Sequence, residues 1–305
     1  MLRRILEIVD LLDTADASGA AVVDWLLKWG ATAETEVIEG PGRTDFIRAV
    51  IPGANGRLAG GTAPTLGVIG RLGGVGARPH RQGLVSDGDG ACVALAVAAD
   101  LARARSAGDV LAGDVLVRTH VSTSSPIVPH EPAPLIAAPV DRERLGRAEV
   151  DPSMDAILSI DSTRANRIAK HGAFAITGAV KEGYILRPTP AMLDIYERVA
   201  GRPAVVLPLF TQDITPAGNG LHHINSIMQP SIRSAAPVVG IALLSPVVVA
   251  GVATGVVRET DLAEAARFVV EVAKVFTAGS LSFHHEEELE RLVERYGTLR
   301  HLQAT

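Results

Sequence analysis

The sequence predicts an α/β fold, an open, mostly parallel sheet with helices on both faces, formed as a single α/β domain over residues 1–305. Three observations carry that prediction. The chain is 47% hydrophobic but only 4% aromatic, so Val, Ile, Leu and Ala must fill the core. Short runs of Val and Ile stand beside Ala-rich stretches, the pattern of buried parallel strands alternating with helices. No composition shift, linker, repeat or low-complexity tract divides the pattern.

The elements follow in order. Leu2 to Leu12 and Ala17 to Trp29 carry apolar residues at helical spacing, the second with Ser18 as cap and Gly30 as stop. Glu34 to Ile38 and Asp45 to Ile51 alternate like strands around a Pro41-Gly42 turn. Thr65 to Ile69 is a short buried strand, followed by a Gly-rich loop from Arg71 to Gln82. Gly90 to Arg105 is a helix of small residues able to lie close on a sheet. Asp114 to Val121 and Asp155 to Ile160 are strands on either side of a polar, Pro-rich loop from Ser122 to Pro139. Ala173 to Val180 and Gly183 to Leu186 read as paired strands, Pro190 to Ala200 as a helix and Ala204 to Leu209 as a strand. Pro237 to Leu243 and Val247 to Ala253 read as strands. A helix from Thr260 to Thr277, capped by Thr260, and a last helix from Glu286 to Tyr296 complete the chain.

Composition bounds the function. A net charge of −5 offers no basic face for nucleic acid. Cys92 is the only cysteine, which excludes an intramolecular disulfide and a Cys-rich zinc site and suits a reducing compartment. Glu7, Asp10, Asp13 and Asp16 interrupt any apolar signal core. The most apolar stretch, Ala235 to Val257, is broken by Pro237, Gly240, Pro246 and Gly251 and does not read as a membrane span. The expectation is a cytoplasmic homo-oligomer acting on a small molecule, with neither nucleic acid nor membrane as partner.

In open α/β sheets, ligands bind beyond the carboxyl ends of the strands. That rule selects Asp87, Asp89, His120, Asp161 and the loop Thr211 to His223. Asp87 and Asp89 lie on a Ser-Asp-Gly-Asp-Gly turn whose glycines let the backbone approach a ligand closely. Two carboxylates on one turn repel unless a cation or donors stand between them. A plainer role is the helix start, where Asp is a common cap, though this explains one aspartate better than two. Imidazole and carboxylate together suit a divalent ion, zinc first, with manganese or nickel as alternatives, and His222 is a further candidate ligand. Arg71 and Arg78 can grip a carboxylate or phosphate, and Lys181 and Asn219 are further candidate substrate contacts. Gly-x-Ser-x-Gly and His-Glu-x-x-His motifs are absent, and GRLGGVGARP lacks the Walker lysine.

The stretches TLGVIGRLGGVGARP, GLVSDGDGA, GDVLVRTH, DAILSIDST, VKEGYILR, TQDITPAGNGLHHINSIMQP and APVVGIAL resemble the uncharacterised prokaryotic family DUF1177, from about Thr44 to the terminal ERYGTLRHLQ. The resemblance implies a peptidase-like protein linked with peptide uptake and use. More distantly, SDGDGACVALAVAADL and AILSIDST are similar to segments of the co-catalytic zinc aminopeptidases. That similarity implies a zinc-aminopeptidase-like fold in which Asp87 bridges the metals and Asp161 binds one of them. The pattern departs from those enzymes at three places. GVIGRLGG has no His, HVSTSS stands where paired glutamates belong, and Arg258 replaces a final His. The centre is then remodelled or lost, with His80, His120, His130 and His222 as possible substitute ligands.

Two functions follow. One is a metal-dependent hydrolase of an amide or peptide-like small substrate. Its metal ligands are Asp87, His120, Asp161 and His222, Asp89 is a supporting catalytic acid, and no obvious general base emerges, Glu182 and Glu131 being the candidates. The other is a non-hydrolytic enzyme or ligand-binding protein on the same scaffold without the usual metal centre.

Overall fold

The computed structural model describes residues 1–71, 73–76, 83–223 and 226–304. Helix α1 (Leu2–Leu12) turns Ile5, Ile8 and Leu12 inward at helical spacing. Helix α2 (Gly19–Lys28) begins at Ser18, whose hydroxyl accepts from the Ala21 amide at 3.3 Å, and stops before Gly30 at φ +84°. Strands β1 (Thr32–Glu39) and β2 (Arg43–Ile51) form an antiparallel hairpin. Strand β3 (Leu66–Gly70), helix α3 (Asp89–Ser106) and strand β4 (Val115–Val121) follow. Then come the short pair β5 (Ile127–Val128) and β6 (Leu135–Ile136), helix α4 (Arg142–Glu149) and strand β7 (Ala156–Ser162). The rest comprises β8 (Phe174–Lys181), β9 (Tyr184–Leu186), α5 (Pro190–Ala200), β10 (Val206–Leu207), β11 (Val238–Leu243), α6 (Glu259–Thr277) and α7 (Glu286–Tyr296).

The main sheet runs β1-β2-β4-β3-β7-β11-β8-β10, with β9 added to β8. Its centre, β4-β3-β7-β11, is parallel, while β2 and β8 flank it antiparallel. Side chains alternate across it. Val68, Val117, Leu158 and Ile241 join the larger core under α1, α2, α3, α5 and α6. Ile69, Leu116, Ile157 and Ala242 join a second core on the other face. That face is covered more thinly, by α4 and the 3₁₀ segment Ser226–Ile232. Helix α3 is buried along most of its length, held by α1, α6 and the strands β3, β4 and β7.

Four elements differ from expectation. Val247 to Ala253 is a loop, because its backbone groups bond to another loop instead of a strand. The Gly251 carbonyl accepts from Asp87 N at 3.2 Å and the Ala253 carbonyl from Ser86 N at 3.1 Å. Helix α4 was hidden in a charged stretch, RERLGRAE, with almost no apolar period. Helix α6 starts one residue earlier than expected, and Thr260 does not cap it, since Arg258 holds the cap position without a side-chain bond. Strand β10 is two residues long, not six. Among the described residues no helix is long and apolar enough to cross a membrane.

Candidate functional site

Strands β3, β4 and β7 run parallel and so end at one edge of the sheet. Counting by twos from Ile69, Leu116 and Ile157 places Arg71, His120 and Asp161 on the thinly covered face at that edge. The Ser86–Gly90 turn meets them there, because Gly90 has no side chain. A Cβ on Gly90 would stand 2.5 Å from the Ile160 carbonyl and 2.8 Å from that of Arg71. Asp87 is fixed in turn, its Oδ2 accepting from the Ile136 amide at 3.1 Å. A Cβ on Gly251 would stand 2.1 Å from the same carboxylate.

A cavity of about 630 Å³ opens over this edge, between α4, the β6 segment and the loop that ends in Ser226–Ile232. Asp87 and Arg71 line it, with Glu149 from the end of α4 and Ser226. Asp161, 1% exposed, receives the Ser226 hydroxyl on Oδ2 at 2.5 Å, and its Oδ1 has no hydrogen-bond partner. Burial, and then the charge of Asp161, push the Asp87 carboxyl up to about 7. Burial pushes Asp161 up to about 6 against the pull of Arg71. Glu149 is ion-paired with Arg71 and is also pushed up by burial. Asp89 does not share the cavity. It pairs with buried Arg164 at 2.6 Å, near the start of α6, and burial still raises it to about 7.

The structure thus brings Asp87, Asp161 and Arg71 together, leaves His120 buried at the same edge and His222 at the cavity rim, and places the remaining described candidates elsewhere. Lys181 ends β8 and Glu182 follows it, and because β8 runs antiparallel to β11 both lie at the opposite edge of the sheet. Glu182 holds a turn at φ +53° with Arg300 3.5 Å away. His120 is buried against β2, its Nδ1 2.9 Å from the Thr44 hydroxyl, and burial lowers it to about 3. His222 is exposed at the cavity rim, stacked on His130 at 5.6 Å. Asn219 is spent on its own loop, bonding Thr215 Oγ1 and the Leu221 amide. Arg78 and His80 lie outside the described residues.

Zinc needs three or four N, S or O ligands at one point. Among the described residues no group of three His, Cys, Asp or Glu side chains forms such a set. That absence holds for any ion, so the pair, with the unpartnered Oδ1 on Asp161, would suit at most a hard, oxygen-preferring ion that keeps most of its waters. Sequence reasoning missed Glu149, Arg164, Ser226, Arg142 and Arg233. Glu149 and Arg142 belong to a charged stretch to which the sequence assigned no element, and only Ser226 lay inside one of the quoted family stretches.

Residues 35–305 match the family model described as "Protein of unknown function (DUF1177)". Two solved structures of the bottromycin maturation enzyme BotP share the fold. One is 15% identical at a TM-score of 0.50, and the second, in complex with Mn, is 14% identical at 0.53. Each comparison covers 90% of this chain and 70% of BotP. No curated protein matches the sequence.

Proposed function

The chain belongs to the DUF1177 family, and from its cavity we propose that it is a metal-dependent hydrolase of a small amide or peptide-like substrate, acting over Asp87 and Asp161. The observation that carries this reading is the pair itself. Asp87 lines the cavity and Asp161, from another element, lies buried close enough to raise it, each with few donors. Such a pair is stabilised by a cation. Asp87 and Asp161 would hold a divalent ion, manganese in preference to zinc. When bound, the ion would polarise a carbonyl and lower the pKa of a water toward ~7. The solved complex of BotP with Mn on a shared fold supports a scaffold of this kind. Glu149, and not Glu182, is the cavity carboxyl available for proton transfer, since Glu182 stands across the sheet. Arg71 keeps Glu149 in place.

The test is calorimetric titration of chelator-treated protein with Mn²⁺ and Zn²⁺, beside an assay on a panel of dipeptides and amides. Expected are one Mn²⁺ site, lost in Asp87→Asn and Asp161→Asn, and cleavage that stops in chelator. No ion uptake, together with cleavage indifferent to chelator, sinks the reading. One observation favours the alternative of a binding protein. Arg71 already neutralises Glu149 and Arg164 already neutralises Asp89, as in a centre where guanidinium replaces metal. A ligand-induced rise in melting temperature without any product would select it.

A further inference from the structure

We propose that Arg233 and Arg142 form a subsite for a free carboxylate, so that the ligand of this cavity is an N-acyl amino acid or short peptide held by its terminal carboxylate. The inference deepens the hydrolase reading and rests on it for the peptide-like class. Its ground is that, among the described residues, two guanidiniums on the cavity wall have no paired carboxylate, although the wall carries Asp87, Asp141, Glu143 and Glu149 beside Arg71, Arg142 and Arg233. Glu149 is paired with Arg71, Glu143 with Arg147 at 2.7 Å, and Asp141 accepts the Arg144 amide at 2.9 Å. The guanidiniums of Arg142 and Arg233 line the same wall, and among the described residues neither makes an ion pair or side-chain hydrogen bond. Two cations in a concave site attract an anion, and guanidinium offers a carboxylate paired N–H donors.

The fold makes room for this arrangement. Gly146 stands in the middle of α4, where glycine costs about 1 kcal/mol against alanine. A Cβ there would stand 2.6 Å from Arg233 Nε and 2.8 Å from its Cζ. The missing side chain is therefore the seat of the Arg233 guanidinium. Arg142 lies one turn earlier on α4, about 6 Å along the axis, and a Cβ on Gly218 in the facing loop would come within 3.8 Å of its Nη1. The two cations thus flank one helical turn on the wall of the cavity that holds Asp87. Arg233 also acts on Glu149, helping to hold its carboxyl down.

The experiment is a calorimetric binding series with manganese-loaded protein. A set of dipeptides and N-acetyl amino acids is titrated, each beside its C-terminal amide. At least one acid should bind, and its amide should bind about tenfold to a hundredfold more weakly. Arg233→Gln and Arg142→Gln should each weaken the acid and leave the amide unchanged, with Arg233→Lys recovering part of the loss. Arg142 is exposed, so its variant tests the idea even if Arg233→Gln fails to fold. Equal binding of acids and amides, wild-type affinity in the folded variants, or no binding by any acid overturns the subsite. Cleavage is scored separately. Acid-selective binding without cleavage keeps the subsite and sinks the hydrolase reading, whereas cleavage of acids and amides alike does the reverse.

Discussion

At Gly90 the functional turn depends on a hydrogen atom. Alanine there would press its methyl into the carbonyls of Ile160 in β7 and of Arg71 just after β3, both of them backbone and unable to yield. Gly90→Ala should cost about 1 to 3 kcal/mol of stability, read as a lower urea midpoint, and should weaken Mn²⁺ binding by moving Asp87. His120 supports a second prediction. It is buried neutral, with its pKa lowered from 6.5 to about 3, first by burial and then by Arg71. A depressed folded value contributes stability that is full above the unfolded value and is lost as pH falls toward the folded one. His120 therefore takes stability away as pH falls from about 6.5 to 3, while the raised Asp87, Asp89 and Asp161 add an opposite change common to wild type and variant. His120→Asn, which removes the titrating ring, should lose less or gain more over that window. Urea midpoints at pH 7 and pH 4.5 check it, and parallel changes in both proteins would refute it.

Among the elements, α4 connects the sequence to the cavity. Asp141 caps it, and the helix carries Arg142, Gly146 and Glu149 to the wall. Asp141→Ala should cost about 1 kcal/mol and, by fraying the first turn, weaken carboxylate ligands more than it weakens Mn²⁺. Equal effects on both would count against α4 as the carboxylate wall. Helices with end signals and an apolar face were legible in the sequence, as Ser18 and Gly30 around α2 and Pro190 and Gly201 around α5 illustrate. Helix α4 was not, because it buries little beyond Leu145 and its charges imitate a solvated loop. Val247 to Ala253 misled in the opposite way, since an apolar run whose hydrogen bonds go to a loop looks like one whose bonds go to a strand. The site divided along the same line. Asp87 and Asp161 were legible as a helix start and a parallel-strand end. Glu182 was misplaced because the antiparallel direction of β8 is a property of pairing, which a single strand does not reveal.

For the whole molecule, one core cluster contains residues from every helix except α4. We propose that the chain unfolds as a single cooperative unit. The only two tryptophans, Trp25 and Trp29, lie in the first thirty residues, so fluorescence reports that segment while far-ultraviolet dichroism reports every helix. The two urea transitions should coincide, and an earlier fluorescence transition would show a separable amino-terminal unit. The same packing bears on the Ser86–Gly90 turn. Helix α3 has almost no wet side, and its neighbours on all faces are themselves core elements. It behaves less like a hinge arm than like a bolt seated through the middle of the protein. The turn at its head therefore cannot back away from Asp161 without dislodging the bolt. The repulsion between the two carboxylates has to be relieved by what arrives between them, a proton or a cation, and not by the scaffold giving way.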